Sequence, residues 1–168
     1  MINVVLYEPE IPQNTGNIMR TCMAANCRLH LIEPLGFSLD EKHLKRAGMD
    51  YLVDLSICRY TSWEDFISKN TGDYYFISRY GKKSPTEFDY SDSNREIFLI
   101  FGKESTGIPK EILKDNQKRC ARLPMVKHAR SLNLSNCVAI CVYEVHRQQG
   151  YLDLSSVEIL KGEDWLNK

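Results

Sequence analysis

Short apolar runs alternate with stretches of helical period along the 168 residues. Ile2–Tyr7 is apolar and gives way to Pro9 and Pro12, the pattern of a strand followed by a loop. From Asn14 the period changes. Ile18, Cys22 and Ala25 fall at i, i+4 and i+7 on one helical face, with Asn14 or Thr15 placed to cap it. Residues 29–32 form a second apolar run, closed by Pro34 and Gly36. Residues 40–47 have the look of a short helix ended by Gly48. Ser62 with Asp65 is a capping arrangement that opens a helix through Ile67. Residues 74–77 and 97–101 read as buried strands, and Pro109 suits the first turn of a short helix. Leu134, Val138, Val142 and Val145 mark one face of a long helix that stops near Gly150.

Strand and helix in alternation imply βαβ units on a mostly parallel sheet flanked by helices, an α/β fold. Ligands of such sheets bind outside the carboxyl ends of the strands, so chemistry is expected in the loops that follow them. The length fits one domain, taken as 1–152, with 153–168 as a C-terminal tail that is either a docked helix or a frayed end. Organisation is expected to be weakest over 82–94, which is polar with one proline, and after Gly150.

Composition narrows the function classes. Hydrophobic residues at 43% and charged residues at 26% exclude disorder as the main state, a collagen-like repeat and a coiled coil. No apolar run approaches the roughly 20 residues of a membrane span, so no membrane partner is expected. The opening lacks a basic region before its apolar stretch and carries Glu8 and Glu10 after it, a first strand rather than a signal peptide. The expected location is the cytoplasm. The six cysteines include no C-x-x-C, and the four histidines form no pair at helical spacing. Buried free thiols are favoured over disulfides, and no metal site is expected.

Three segments stand out, each after a predicted strand. In 12–20, Gly16 permits close backbone approach and the Asn side chains can cap or recognise, although a plain helix cap with a solvated Arg20 explains the same residues. In 101–109, two glycines bracket four polar residues: a ligand-cradling loop in outline, or a plain strand–turn–helix connection. It lacks both the Lys-Ser/Thr of a P-loop and the G-x-G-x-x-G of a Rossmann turn. In 123–136, a Ser/Asn cluster opens the long helix, as surplus capping or as a site for a polar or anionic group.

Net charge is +0, with 22 basic and 22 acidic side chains, so the chain does not announce a nucleic-acid partner. Placement is uneven. Lys114, Lys118, Arg119, Arg122, Lys127 and Arg130 face one acid, Asp115, within 114–130. Further basic groups are Lys42, Lys45 and Arg46, and Arg79, Lys82 and Lys83. Any one cluster is ordinarily a solvated face; three around the candidate loops favour a polyanionic partner.

Together the segments resemble the SPOUT class of RNA methyltransferases. Asn14-Thr15-Gly16-Asn17-Ile18-Met19-Arg20 matches its first motif, and Phe101-Gly102-Lys103-Glu104-Ser105-Thr106-Gly107 its second. Pro124-Met125 with Ser131-Leu132-Asn133-Leu134-Ser135-Asn136 matches its third. The stretches at 6–14 and 46–51 narrow the resemblance to the small tRNA (cytidine/uridine-2′-O-)-methyltransferases of the wobble nucleotide. It covers about residues 1–152 and leaves the tail outside.

The resemblance implies a C-terminal deep trefoil knot, which general chain-topology rules would reject. It implies a homodimer with each site completed near the partner chain, where Tyr143 assists at the contact. It implies an S-adenosylmethionine site lined by Ile77, Gly102, Leu123 and Ser131, with Met125 and Leu132 nearby, and S-adenosylhomocysteine as product. The substrate is then the anticodon stem-loop of tRNA, with cytidine or uridine in leucine tRNAs as the target, and no metal is required. Arg20 corresponds to the residue proposed in the family as proton acceptor. Since a guanidinium is effectively always protonated, it can instead hold the adjacent phosphate or stabilise a developing alkoxide. Asn14, Glu104, Ser131 and Asn133 are the positioning partners. Two other classes compete: a non-catalytic knotted RNA-binding protein, and a thiol-based redox protein that would need an exposed thiol of low pKa.

Overall fold

The computed structural model describes residues 1–38 and 55–167. The helix expected over 40–47, the stretch 46–51 and the group Lys42, Lys45 and Arg46 lie outside the described residues.

Six strands form one sheet: β1 (Ile2–Tyr7), β2 (Arg28–Ile32), β3 (Ile57–Tyr60), β4 (Asp73–Ile77), β5 (Ile97–Phe101) and β6 (Cys120–Ala121), in the order β3-β2-β1-β5-β4-β6. Every pairing is parallel. Four described helices accompany it: α1 (Pro12–Ala24), α2 (Trp63–Lys69), α3 (Lys110–Asp115) and α4 (Leu134–Gln148).

Burial on both faces explains the uninterrupted apolar character of β5. Ile97, Leu99 and Phe101 join the core that α1 and α4 cover, through Ile18, Met19 and Cys22 of one helix and Val138, Val142 and Val145 of the other. Phe98 and Ile100 join the opposite core, with Phe66 of α2 and Leu113 of α3. The stripes expected on the first and last helices therefore face the sheet and are buried, apart from Leu134, which is half-buried.

Several expectations need correction. The first helix starts at Pro12, and Ile11 is its N-cap residue without a side-chain cap. Neither Asn14 nor Thr15 caps it; a proline at the first helical position sets φ and lacks the N–H that would otherwise be left over. Pro109 is the residue before α3 rather than in its first turn. Strands β3 and β6 were not expected, the first because ICRY mixes polar and apolar residues, the second because it has two residues.

The segment 82–94 is better tied down than its polarity suggests. Ser84 and Glu87 make a reciprocal capping box around a short 3-10 turn. Tyr90 is buried, with its ring 4.8 Å from that of Tyr75. Tyr90 N–H donates to Gln148 Oε1 at 2.8 Å, and Gln149 Nε2 donates to the Tyr90 carbonyl at 2.9 Å. Aromatic anchors inside a polar stretch fix it to α4. The tail is not a docked helix: none of 151–167 is buried, and Leu160 is 97% and Leu166 86% exposed.

Candidate active site

In an all-parallel sheet the carboxyl ends of the strands share one edge, so the segments after β1, β5, β4 and β6 meet there. The loop after β5 is a tight turn. Gly107 N–H donates to the Lys103 carbonyl at 2.9 Å, and Gly107 holds φ at +75°, a region costly for other residues. A Cβ on Gly102 would lie 2.1 Å from the Gly107 carbonyl carbon, so the turn closes only without a side chain at 102.

This turn is fastened to the segment after β1 by reciprocal bonds. The Glu104 carboxylate accepts from Glu10 N–H at 2.9 Å, Ile11 N–H at 3.3 Å and Asn14 Nδ2 at 2.9 Å. It stands at the start of α1, where side chains of the helix itself provide no cap and where negative charge is favoured. In the other direction Glu10 accepts from Ser105 N–H at 2.9 Å and Oγ–H at 2.8 Å, which hold its carboxyl below its usual range. Lys103 Nζ pairs with Glu8 at 2.6 Å, which raises the lysine above its ordinary value.

A third fastening runs to α4. Asn133 Nδ2 donates to Asn14 Oδ1 at 2.9 Å. The Asn133 Oδ1 caps α4 by accepting from Ser135 N–H at 2.9 Å and Ser135 Oγ–H at 2.6 Å. A line of bonds thus passes from Glu104 through Asn14 and Asn133 into the start of α4.

On the far side the turn after β4 lies across the end of β6. Ser78 N–H donates to the Ala121 carbonyl at 2.8 Å, and Arg122 N–H donates to the Lys83 carbonyl at 2.8 Å. A Cβ on Gly81 would lie 2.3 Å from the Ala121 carbonyl carbon.

These segments enclose a cavity of about 740 Å³, within the range of small-molecule and cofactor sites. Of the residues singled out from the sequence, Asn14, Ile77, Gly102, Glu104, Leu123, Met125, Ser131, Leu132 and Asn133 all line it. Arg20 does not. It is exposed on α1, six residues beyond Asn14, about 9 Å along the axis and a third of a turn round. The lining also includes Ser78, Arg79, Tyr80, Arg122, Arg130 and Cys137, which were not assigned to a site from sequence. The basic clusters were the available signal for the three arginines.

Ile77, Leu123, Met125 and Leu132 offer apolar contact for a planar ring, while Ser131 and Asn133 offer hydrogen bonds beside it. This mixture and volume fit S-adenosylmethionine, a purine nucleoside with a charged extension. The six cysteines are free. Burial pushes Cys27 and Cys141 up to about 12 and raises Cys22, Cys120 and Cys137, the opposite of what a redox thiol requires. Among the described residues, no three His, Cys, Asp or Glu residues gather in a metal-binding group, and no helix is long and apolar enough to cross a membrane.

Residues 1–143 match the model of the SpoU rRNA Methylase family. A Geobacillus stearothermophilus protein, provisionally named a tRNA (cytidine(34)-2′-O)-methyltransferase, is 54% identical over 155 residues, covering 92% of this chain and 99% of its own. A solved structure described under the 2-OH methylation of C/U34 on tRNA superposes with a TM-score of 0.80 at 38% identity, covering 90% and 97% of the two chains. An AdoMet-bound rRNA methyltransferase from Sinorhizobium meliloti superposes with a TM-score of 0.76 at 27% identity, covering 87% of this chain and 56% of that one.

Proposed function

Since the chain belongs to the SpoU methylase family, we propose that it methylates the ribose 2′-hydroxyl of the tRNA wobble nucleotide, using S-adenosylmethionine. The observation that carries this reading is the convergence of Gly102, Leu123 and Ser131 on one cavity, beside the bonded line Glu104–Asn14–Asn133. The target is cytidine or uridine at the wobble position of leucine tRNAs, presented on the anticodon stem-loop. The protein works in the cytoplasm.

When bound, the cofactor supplies an electrophilic methyl on a sulfonium and leaves as S-adenosylhomocysteine. The protein's part is to hold the 2′-hydroxyl in line with that methyl, which removes the entropic cost of bringing the two together. Ile77, Leu123, Met125 and Leu132 grip the adenine faces, and Gly102 lets backbone come close. Glu104 acts as a clamp: its carboxylate is already engaged by three donors. Asn14, Ser131 and Asn133 position the reacting groups. Arg20, permanently protonated, stabilises the alkoxide that develops as the hydroxyl passes its proton to solvent water.

Arg20 is exposed and stands outside the cavity of its own protomer. The reading therefore includes a homodimer in which Arg20 of one protomer serves the cavity of the other. Ile140 and Tyr143, 47% and 45% exposed on α4, supply apolar surface for such a contact. The trefoil knot of the family belongs to the same reading.

The test is nucleoside mass analysis of tRNA from cells lacking the protein, with labelled S-adenosylmethionine transfer to an anticodon stem-loop by the purified chain. Loss of 2′-O-methyl at the wobble nucleotide, restored in vitro, is the expected result. An unchanged profile with no transfer overturns the reading and leaves a non-catalytic RNA-binding protein.

A further inference from the structure

At the mouth of the cavity one side chain has no part in the binding scheme above. Tyr80 lines the cavity, yet it is 72% exposed. A large aromatic held open to water beside a cavity forgoes the burial that would normally be its contribution to the fold.

Its backbone is held in place from several sides. Tyr80 N–H donates to Ser78 Oγ at 3.3 Å, and Gly81 N–H donates to the Ser78 carbonyl at 3.2 Å. The Arg79 carbonyl accepts from Arg122 Nη1 at 2.9 Å, and Gly81 sits against the backbone of Ala121 with no room for a Cβ. The ring is presented on a preset turn, which lowers the entropy lost when a partner docks on it.

The surroundings select the partner. Arg79, Arg122 and Arg130 line the same cavity and bring three permanent positive charges to the mouth. Exposed aromatic faces interleaved with cations are the chemistry that binds single-stranded nucleic acid: bases stack on the rings while the cations hold phosphates.

We propose that Tyr80 is the stacking platform for an unpaired base of the RNA substrate next to the reacting nucleotide, with Arg79, Arg122 and Arg130 on the flanking phosphates. The inference rests on the functional reading above and adds a specificity residue to it. A base stacked on Tyr80 fixes the register of the loop, so that one ribose alone reaches the methyl donor.

Tyr80→Ala and Tyr80→Phe are compared with wild type on an anticodon stem-loop carrying 2-aminopurine beside the target nucleotide. Stem-loop affinity, 2-aminopurine fluorescence, transfer rate and calorimetric S-adenosylhomocysteine binding are measured on each. Wild type and Tyr80→Phe should quench the fluorescence. Tyr80→Ala should not, and should weaken stem-loop binding by roughly tenfold or more. S-adenosylhomocysteine affinity should stay within about twofold throughout, which also shows that the variants fold. Unchanged stem-loop binding in Tyr80→Ala, with active wild type, overturns this proposal alone. Loss of S-adenosylhomocysteine binding assigns Tyr80 to the cofactor and overturns it too. A wild type that methylates no stem-loop overturns the functional reading, and this proposal with it.

Discussion

Asn133 Nδ2 donates to Asn14 Oδ1 at 2.9 Å, across 119 positions of sequence. One amide thereby ties the start of α4 to the first turn of α1, while its oxygen caps α4. Two helices that cover the same face of the sheet are locked together at the rim of the cavity.

Asn133→Ala removes both the cap and the tie, and should lower stability by about 1 to 2 kcal/mol in urea unfolding. Asn133→Ser retains a capping oxygen without the tie. It should recover most of the stability while S-adenosylhomocysteine affinity stays reduced. Equal affinity in Asn133→Ser and wild type would show that the tie does not shape the cavity.

The cavity was legible in sequence as far as it depends on local pattern. The apolar runs that become β1 and β5 are buried on both faces, and parallel pairing alone brings the loops after them to one edge. Segments around Asn14, Gly102 and Ser131 follow from that. What pattern could not reach are contacts between loops. Glu10 and Ser105 look like solvated loop residues until they bond across the edge, and Gly81 gives no hint that it crosses Ala121. Arg20 shares the motif 14–20 with Asn14, yet helix geometry sets the two side chains about 9 Å apart along the axis and a third of a turn round. Pro12 was the stronger start signal for α1 than the Asn14 side chain, whose bonds go to Glu104 and Asn133 instead.

The two glycines of the turn after β5 should respond differently to a methyl group. At Gly102 the added Cβ meets backbone at 2.1 and 2.2 Å, and backbone cannot swing aside as a side chain can. Gly102→Ala should open the turn, lower the melting temperature and weaken S-adenosylhomocysteine by more than about tenfold. A Cβ on Gly107 meets nothing within 4 Å, and only its φ of +75° is unfavourable. Gly107→Ala should cost about 1 to 2 kcal/mol of stability and leave affinity nearly intact. Thermal unfolding and calorimetry on the pair check both.

Acid should destabilise the protein through His30. The imidazole is 3% exposed, between Tyr60 Oη at 2.9 Å and Asn3 Oδ1 at 3.0 Å. Burial, helped by the charge of Arg28 and opposed by Glu96, lowers its pKa to about 4. The unfolded chain takes up this proton near pH 6.5, the folded one only near pH 4. The stabilising contribution is complete above about pH 6.5 and is lost as pH falls through the window to 4. The loss is on the order of 3 kcal/mol. Urea midpoints measured at several pH values should fall across that window in wild type and much less in His30→Gln. Parallel profiles for the two would assign the acid sensitivity to other groups.

Arg20 should separate binding from transfer. It is not among the side chains that line the cavity of its own protomer, so truncating it leaves that lining intact. Arg20→Ala should therefore bind S-adenosylhomocysteine as wild type does and transfer no methyl to the stem-loop. Arg20→Lys keeps the charge but loses the planar fork, and should recover only a small part of the rate. If Arg20 acts across a dimer, mixing Arg20→Ala with Gly102→Ala chains, assayed at a cofactor concentration too low for the weakened Gly102→Ala cavity, should restore activity. Heterodimers would then pair one intact cavity with one intact arginine. Absence of rescue, with exchange of protomers confirmed by mass, would place Arg20 and its cavity in the same protomer.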